Sequence, residues 1–127
     1  MIVTIVEKYR LLAERLYTRT LSGDLAWEYD DLLEILSTKV AGRDIFLSSV
    51  TNDNGEPAIQ VELSNPATNR RERFLDDDIN GKWPKIEGYE SYWKLLRALY
   101  DYGVRLATGA DKDVDDILSD LDDDIPF

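Results

Sequence analysis

The chain has 127 residues, 43% hydrophobic and 32% charged, with a net charge of −11 and neither cysteine nor histidine. That length and balance suit a single globular domain with a real core. The missing cysteines exclude disulfides and thiol chemistry, and the missing histidines remove the usual general base at neutral pH and the commonest zinc ligand.

No apolar run approaches the roughly 18 residues of a membrane span. The opening Met1-Ile2-Val3-Thr4-Ile5-Val6 is too short for a signal peptide and lacks its basic flank. A cytoplasmic protein is therefore expected, with no catalytic residue, metal or cofactor implied.

Residues 2–22 read as a helix. Ile2, Ile5, Val6, Tyr9, Leu12, Ala13, Leu16 and Tyr17 recur at three- and four-residue steps. Glu7, Lys8, Arg10, Glu14, Arg15 and Arg19 fall mostly on the other face, and Ser22-Gly23-Asp24 is a stop signal. The apolar stripe predicts core packing, with a homodimer seam as the alternative.

Residues 31–40 fit either a short helix or a strand. The reading leans to a strand from about Ile35, joined through Ala41-Gly42 to the next segment. Strands are expected over 43–51 and 58–64. In the second, Ile59, Val61 and Leu63 alternate with Gln60 and Glu62, so one face is buried and one wet. Asn52-Asp53-Asn54-Gly55 between them is a hairpin signal, since Asn-Gly tolerates positive φ. A fourth strand is expected over 70–75, after the Asn65-Pro66 turn.

Residues 76–88 read as a loop broken by Gly81, Pro84 and Gly88. A second long helix is expected over 89–107, with Gly109 ending it in the left-handed conformation. A short helix over 111–121 follows, its apolar positions being Val114, Ile117, Leu118 and Leu121. The fold class expected is thus α+β: a long N-terminal helix, an antiparallel meander of three to four strands, a long helix and a short one. The domain covers residues 1–121, and an acidic tail covers 122–127. With Leu12-Ala13, Thr20, Gly23, Leu25, Trp27-Glu28 and Ala107-Thr108-Gly109, the layout resembles small uncharacterised bacterial proteins of helix–meander–helix order. That resemblance brings no activity with it.

The charge is uneven. Residues 111–127 hold eight Asp against one Lys, a net of −7, whereas the remaining 110 residues carry a net of only −4. Such an end repels nucleic acid and attracts basic protein surfaces. It finishes on Asp122-Asp123-Asp124-Ile125-Pro126-Phe127, which resembles, residue for residue, the C-terminal tip of bacterial single-stranded-DNA-binding proteins.

In that family the tip is the handle for replication, recombination and repair proteins. The resemblance implies that Phe127 inserts its ring in an apolar pocket and its terminal carboxylate meets an Arg or Lys. Pro126 would hold the approach extended, Ile125 would add apolar contact, and Asp122, Asp123 and Asp124 would meet a basic rim. The expected partners are DNA-metabolism proteins with a basic-rimmed hydrophobic pocket.

The physics of the residues points the same way. A buried Phe contributes about 1.5–3 kcal/mol, a terminal carboxylate can be captured by aimed donors, and Pro lowers the entropy lost on docking. The body departs from that family. Its strands are preceded by a long helix and followed by two more, so an OB barrel and its DNA-binding residues are not expected here.

Other constellations are weaker. Asp111, Asp113, Asp115 and Asp122 fall at calcium-loop spacing, but Asp116 stands where Gly is needed and the helical apolar spacing contradicts a loop. Arg70, Arg71 and Arg73, with an aromatic such as Trp83, are the candidate nucleic-acid contacts. The plainer reading of these arginines is a solvated edge strand guarded by charge. Asp76-Asp77-Asp78 with Glu72 offers carboxylates for magnesium, but adjacent Asp side chains point different ways.

The function expected is that of an interaction module of DNA replication or repair, or of a mobile-element or phage-defence system, acting as adaptor or competitor. The alternative is a single-stranded-DNA binder without an OB fold.

Overall fold

The computed structural model describes residues 3–123. Its elements run α1 (Ile5–Leu21), β1 (Glu28–Asp30), β2 (Ile35–Val40), β3 (Arg43–Thr51), β4 (Pro57–Asn65), β5 (Arg70–Leu75), α2 (Asp76–Ile79), α3 (Tyr92–Thr108) and α4 (Ala110–Asp123). The protein is α+β, and its sheet is an open five-stranded antiparallel meander in the order β1-β2-β3-β4-β5. No helix among the described residues is long and apolar enough to cross a membrane.

Register explains where the core sits. Leu36 pairs with Leu47, Leu47 with Val61, and Val61 with Phe74, giving one buried apolar row across four strands. The period of two puts these residues on one sheet face, and α1 and α3 cover it with Ala13, Leu16, Tyr92, Leu95, Leu96, Leu99 and Tyr100. The alternating Ser37, Phe46, Ser48, Gln60, Glu62 and Ser64 stand on the other face and stay partly exposed. At Gly103 an added Cβ would run into Leu36 Cδ2, so α3 approaches β2 more closely than a side chain permits.

Thr4 caps α1, its Oγ1 accepting from Glu7 N at 3.2 Å. Two residues of this helix depart from the amphipathic reading. Ile5 is exposed, whereas Glu14 is buried and accepts from Tyr92 OH and Lys85 N, each at 3.4 Å. The side of a helix that faces a loop as well as a sheet is wider than its apolar stripe.

The residues behind the body resemblance are structural. Thr20 Oγ1 donates to Leu16 O at 2.6 Å and accepts from Trp27 Nε1 at 2.9 Å, which ties the chain entering β1 to the end of α1. β1, absent from the sequence reading, is a three-residue edge strand.

Residues 35–40 are a strand, joined to β3 by the two-residue turn Ala41-Gly42 with φ of 52° and 75°. Between β3 and β4, Gly55 takes positive φ (77°) but Asn54 does not. That connection is a wider loop in which Asn52 Oδ1 accepts from Asn54 N and Glu56 N at 3.0 and 2.9 Å. Gly109 ends α3 at φ 75°, as its sequence position implies.

Residues 76–79 are helical where a solvated loop was expected. Each carboxylate of the triplet has a separate backbone or side-chain partner. Asp76 Oδ1 accepts from Ile59 N at 2.9 Å, Asp77 Oδ2 from Asn52 Nδ2 at 2.7 Å, and Asp78 Oδ2 from Leu75 N at 2.8 Å. Arg10 closes the other end of α2, donating from Nε to Ile79 O at 2.7 Å and from Nη2 to Asn80 O at 3.2 Å.

Candidate functional site

The acidic end of the chain is organised by α4, which runs to Asp123 and takes in two residues that the sequence reading gave to the tail. Asp124, Ile125, Pro126 and Phe127 lie outside the described residues. α4 is anchored at its start. Gly109 sets the bend, Asp113 N donates to Gly109 O at 3.0 Å, and Arg105 Nε meets Asp111 Oδ1 at 3.0 Å.

Beyond that point none of residues 112–122 is buried. Val114, Ile117, Leu118 and Leu121 are 49%, 59%, 52% and 53% exposed, although their spacing is that of a core-facing stripe.

Charge compounds this exposure. Asp111 and Asp113 sit in the first turn, where the positive end of the helix dipole favours them. The other end carries Asp120, Asp122 and Asp123 with no basic residue in the last turn. Acids there are opposed by the dipole and by one another. Lys112, the one base of the segment, already pairs with Asp116 at 2.9 Å. The helical backbone through Asp111, Asp113, Asp115 and Asp122 replaces the looped backbone that a calcium site would need. Among the described residues no cluster of three or more ligating side chains is arranged to hold a metal ion.

The candidate nucleic-acid residues do not form one surface. Arg70, Arg71 and Arg73 are exposed on β5, which is an edge strand. Arg70 and Arg71 line a shallow cleft of about 580 Å³ with Arg43, a residue that sequence reasoning did not single out. Its signal is strand pairing: Arg43 opens β3 and Arg70 opens β5, at one end of the sheet on either side of β4.

Glu72 lies in the same cleft, while Arg73 stands opposite Glu62 in the ladder and is outside it. Trp83 is 74% exposed, but it borders a different cleft with Glu7, Arg10, Lys82 and Lys85, and no residue lines both. Trp27 is buried and Trp93 packs against the core, so neither is free to stack a base.

The perturbed titratable groups belong to the core. Burial, with a hydrogen bond to Glu72, pushes Tyr9 up to about 12. Burial raises Tyr92 to about 12, helped by the nearby Glu14 carboxylate. Burial also raises the Asp76 carboxyl, against the lowering effect of the Ile59 N–H. Each has a partner that accounts for its place in the fold, and none is paired with a nucleophile.

Fold and site together define a two-layer α+β domain that carries an exposed acidic helix at its C-terminal end. Comparison of the chain with protein-family models, curated proteins and solved structures gives no match to any of the three.

Proposed function

We propose that the protein is a non-enzymatic interaction module of DNA metabolism. On this reading Asp122 through Phe127 dock on proteins that hold the tip of bacterial single-stranded-DNA-binding proteins. The observation that carries the proposal is the sequence Asp-Asp-Asp-Ile-Pro-Phe itself. Its three Asp are unremarkable in so acidic a chain, but Ile-Pro-Phe joins an apolar anchor to a stiffened approach.

The body lends support by what it is. Its sheet is open rather than a barrel, so recruitment through the tip does not bring with it the nucleic-acid grip of an OB fold. The module acts as an adaptor that brings its body to such a partner, or as a competitor that occupies the pocket. A replication, repair, mobile-element or phage-defence setting accommodates either, and the cytoplasm is where those partners work.

The reading requires a free carboxylate on Phe127, which makes it directly testable. Binding of the purified chain to a purified tip-holding protein is compared with that of a chain lacking Phe127 and of a chain extended beyond it by a tag. The extension leaves the ring and removes the terminal charge, and a charged hydrogen bond is worth about 1.5–3 kcal/mol. Both changes are expected to abolish binding, and the free tip peptide to compete. Equal binding by tagged and untagged chains, with no competition, would overturn the proposal.

The gathering of Arg43 with Arg70 and Arg71 favours the second reading, a single-stranded-DNA binder. Three arginines neutralise few phosphates against a net charge of −11. Micromolar or tighter binding of single-stranded DNA at physiological salt would establish that reading instead.

A further inference from the structure

We infer that α4 is itself a docking element: its apolar stripe lies in an apolar groove with basic rims on the same partner that takes the tail. The inference rests on the tip-docking reading above and extends it from a terminal peptide to a helix-plus-tail surface.

The helical arrangement specifies the groove. At about 100° per residue, Val114, Ile117, Leu118 and Leu121 fall within one narrow stripe of α4. Asp111, Asp115 and Asp122 run along one flank of it and Asp113 and Asp120 along the other, while Asp116 falls on the far side. A surface complementary to this helix therefore has an apolar floor between two lines of positive charge.

Charge also selects the occupant. A second copy of α4 would set acid against acid on both flanks, with only Lys112, already paired to Asp116, to offset them. A basic partner relieves that repulsion. It also neutralises the acids at the C-terminal end of the helix, where the dipole opposes them.

The chain geometry joins the two contacts. Phe127 lies six residue steps beyond Leu121, a span of at most about 20 Å. A groove that takes Leu121 and a pocket that takes Phe127 must then be neighbours on one partner. Because α4 extends through Asp123, the link between them is shorter than the tail suggested by sequence.

The test uses the full-length chain against a purified protein that holds the tip of single-stranded-DNA-binding proteins. Four ligands are compared: the intact chain, the Ile117→Gln/Leu121→Gln double variant, the chain lacking Phe127, and the free hexapeptide Asp-Asp-Asp-Ile-Pro-Phe. Gln is a good helix former and both positions are half exposed, so the double variant keeps its fold and melting temperature.

The intact chain is expected to bind at least about tenfold more tightly than the hexapeptide, the gain from burying the remaining apolar surface of two or more side chains. The double variant should fall to the level of the hexapeptide. If the double variant binds as tightly as the intact chain while loss of Phe127 abolishes binding, the tip reading stands and the role of α4 is overturned. If loss of Phe127 changes nothing, the tip reading fails, and with it the shared-partner inference. A dimer in sedimentation equilibrium that the double variant dissociates would assign the stripe to a second copy and also overturn the inference.

Discussion

α3 and α4 are consecutive helices joined at a single glycine, both amphipathic, and they meet opposite fates. α3 buries Tyr92, Leu95, Leu96, Leu99 and Tyr100 against the sheet and brings Gly103 onto Leu36. α4 repeats the apolar spacing and leaves every stripe residue about half exposed.

Charge explains the contrast. The outer side of α3 mixes signs, with Arg97 beside Asp101 at 3.5 Å and Lys94 beside Glu90 at 3.5 Å. That suits a helix with one face in the core and one in water. α4 is bordered by acids on both flanks, and among the described residues the ion pair between it and the body is that of Arg105 with Asp111, at its first turn. A helical apolar pattern states that a face needs cover. The charges beside it indicate whether the cover comes from the same chain.

Substitutions of equal chemistry in the two helices should separate sharply. Leu99→Ala is expected to cost about 2–5 kcal/mol in denaturant unfolding, as for a buried leucine that leaves a cavity. Leu118→Ala should stay within about 0.5 kcal/mol, as at a surface position. A Leu118 loss as large as that of Leu99 would show that α4 is covered within the molecule.

Gly103→Ala tests the close approach of α3, and overpacking against Leu36 is expected to cost about 1–3 kcal/mol. The cavity and overpacking changes thus act on the same helix by opposite means.

Asp76 supplies a comparison of side chain and charge. Asp76→Ala leaves the Ile59 N–H buried without its acceptor, at a cost of about 1–3 kcal/mol, whereas Asp76→Asn keeps an acceptor oxygen. Burial raises this carboxyl above its ordinary value of 3.8. The folded state then holds the proton more tightly than the unfolded state. The stability it lends is full below 3.8 and lost as pH rises through the raised value. Urea midpoints across mildly acidic pH should show that slope in the native chain and its loss in Asp76→Asn.

The smallest effect belongs to the far end of α4. Asp120→Asn should stabilise that turn by about 0.3–1 kcal/mol by removing an acid that the dipole opposes. Slower amide exchange in the last turn would register it.

Much of this architecture was legible in the sequence because local rules and tertiary packing agree there. Ile59, Val61 and Leu63 alternate as a half-buried strand must, and Gly109 stands where only a left-handed cap fits. What was not legible depended on partners distant in the chain. β1 is too short to announce itself and is held by Trp27 on Thr20 and by Thr38 on the Ala26 carbonyl. α2 is a short turn stabilised by Arg10, about seventy residues earlier, at its C-terminal end. Glu14 looked like a surface acid until a loop and Tyr92 closed over it.

At the candidate sites the lesson is similar. The apolar stripe of α4 could be read from spacing, and its exposure could not. The arginine cluster was legible as Arg70, Arg71 and Arg73, whereas the ladder substitutes Arg43 for Arg73 in the cleft.

Amide hydrogen exchange shows whether the cover of α4 lies on another protein. The intact chain is measured alone at high dilution and again with a purified tip-holding protein. Alone, residues 114–123 should exchange far faster than 95–103 of α3, because a 14-residue helix without tertiary cover is marginal in water. In the complex, the α4 amides should become protected while those of α3 hold their rates. Protection of α4 equal to that of α3 in the free chain, or no change in α4 when the partner is bound, would contradict the account.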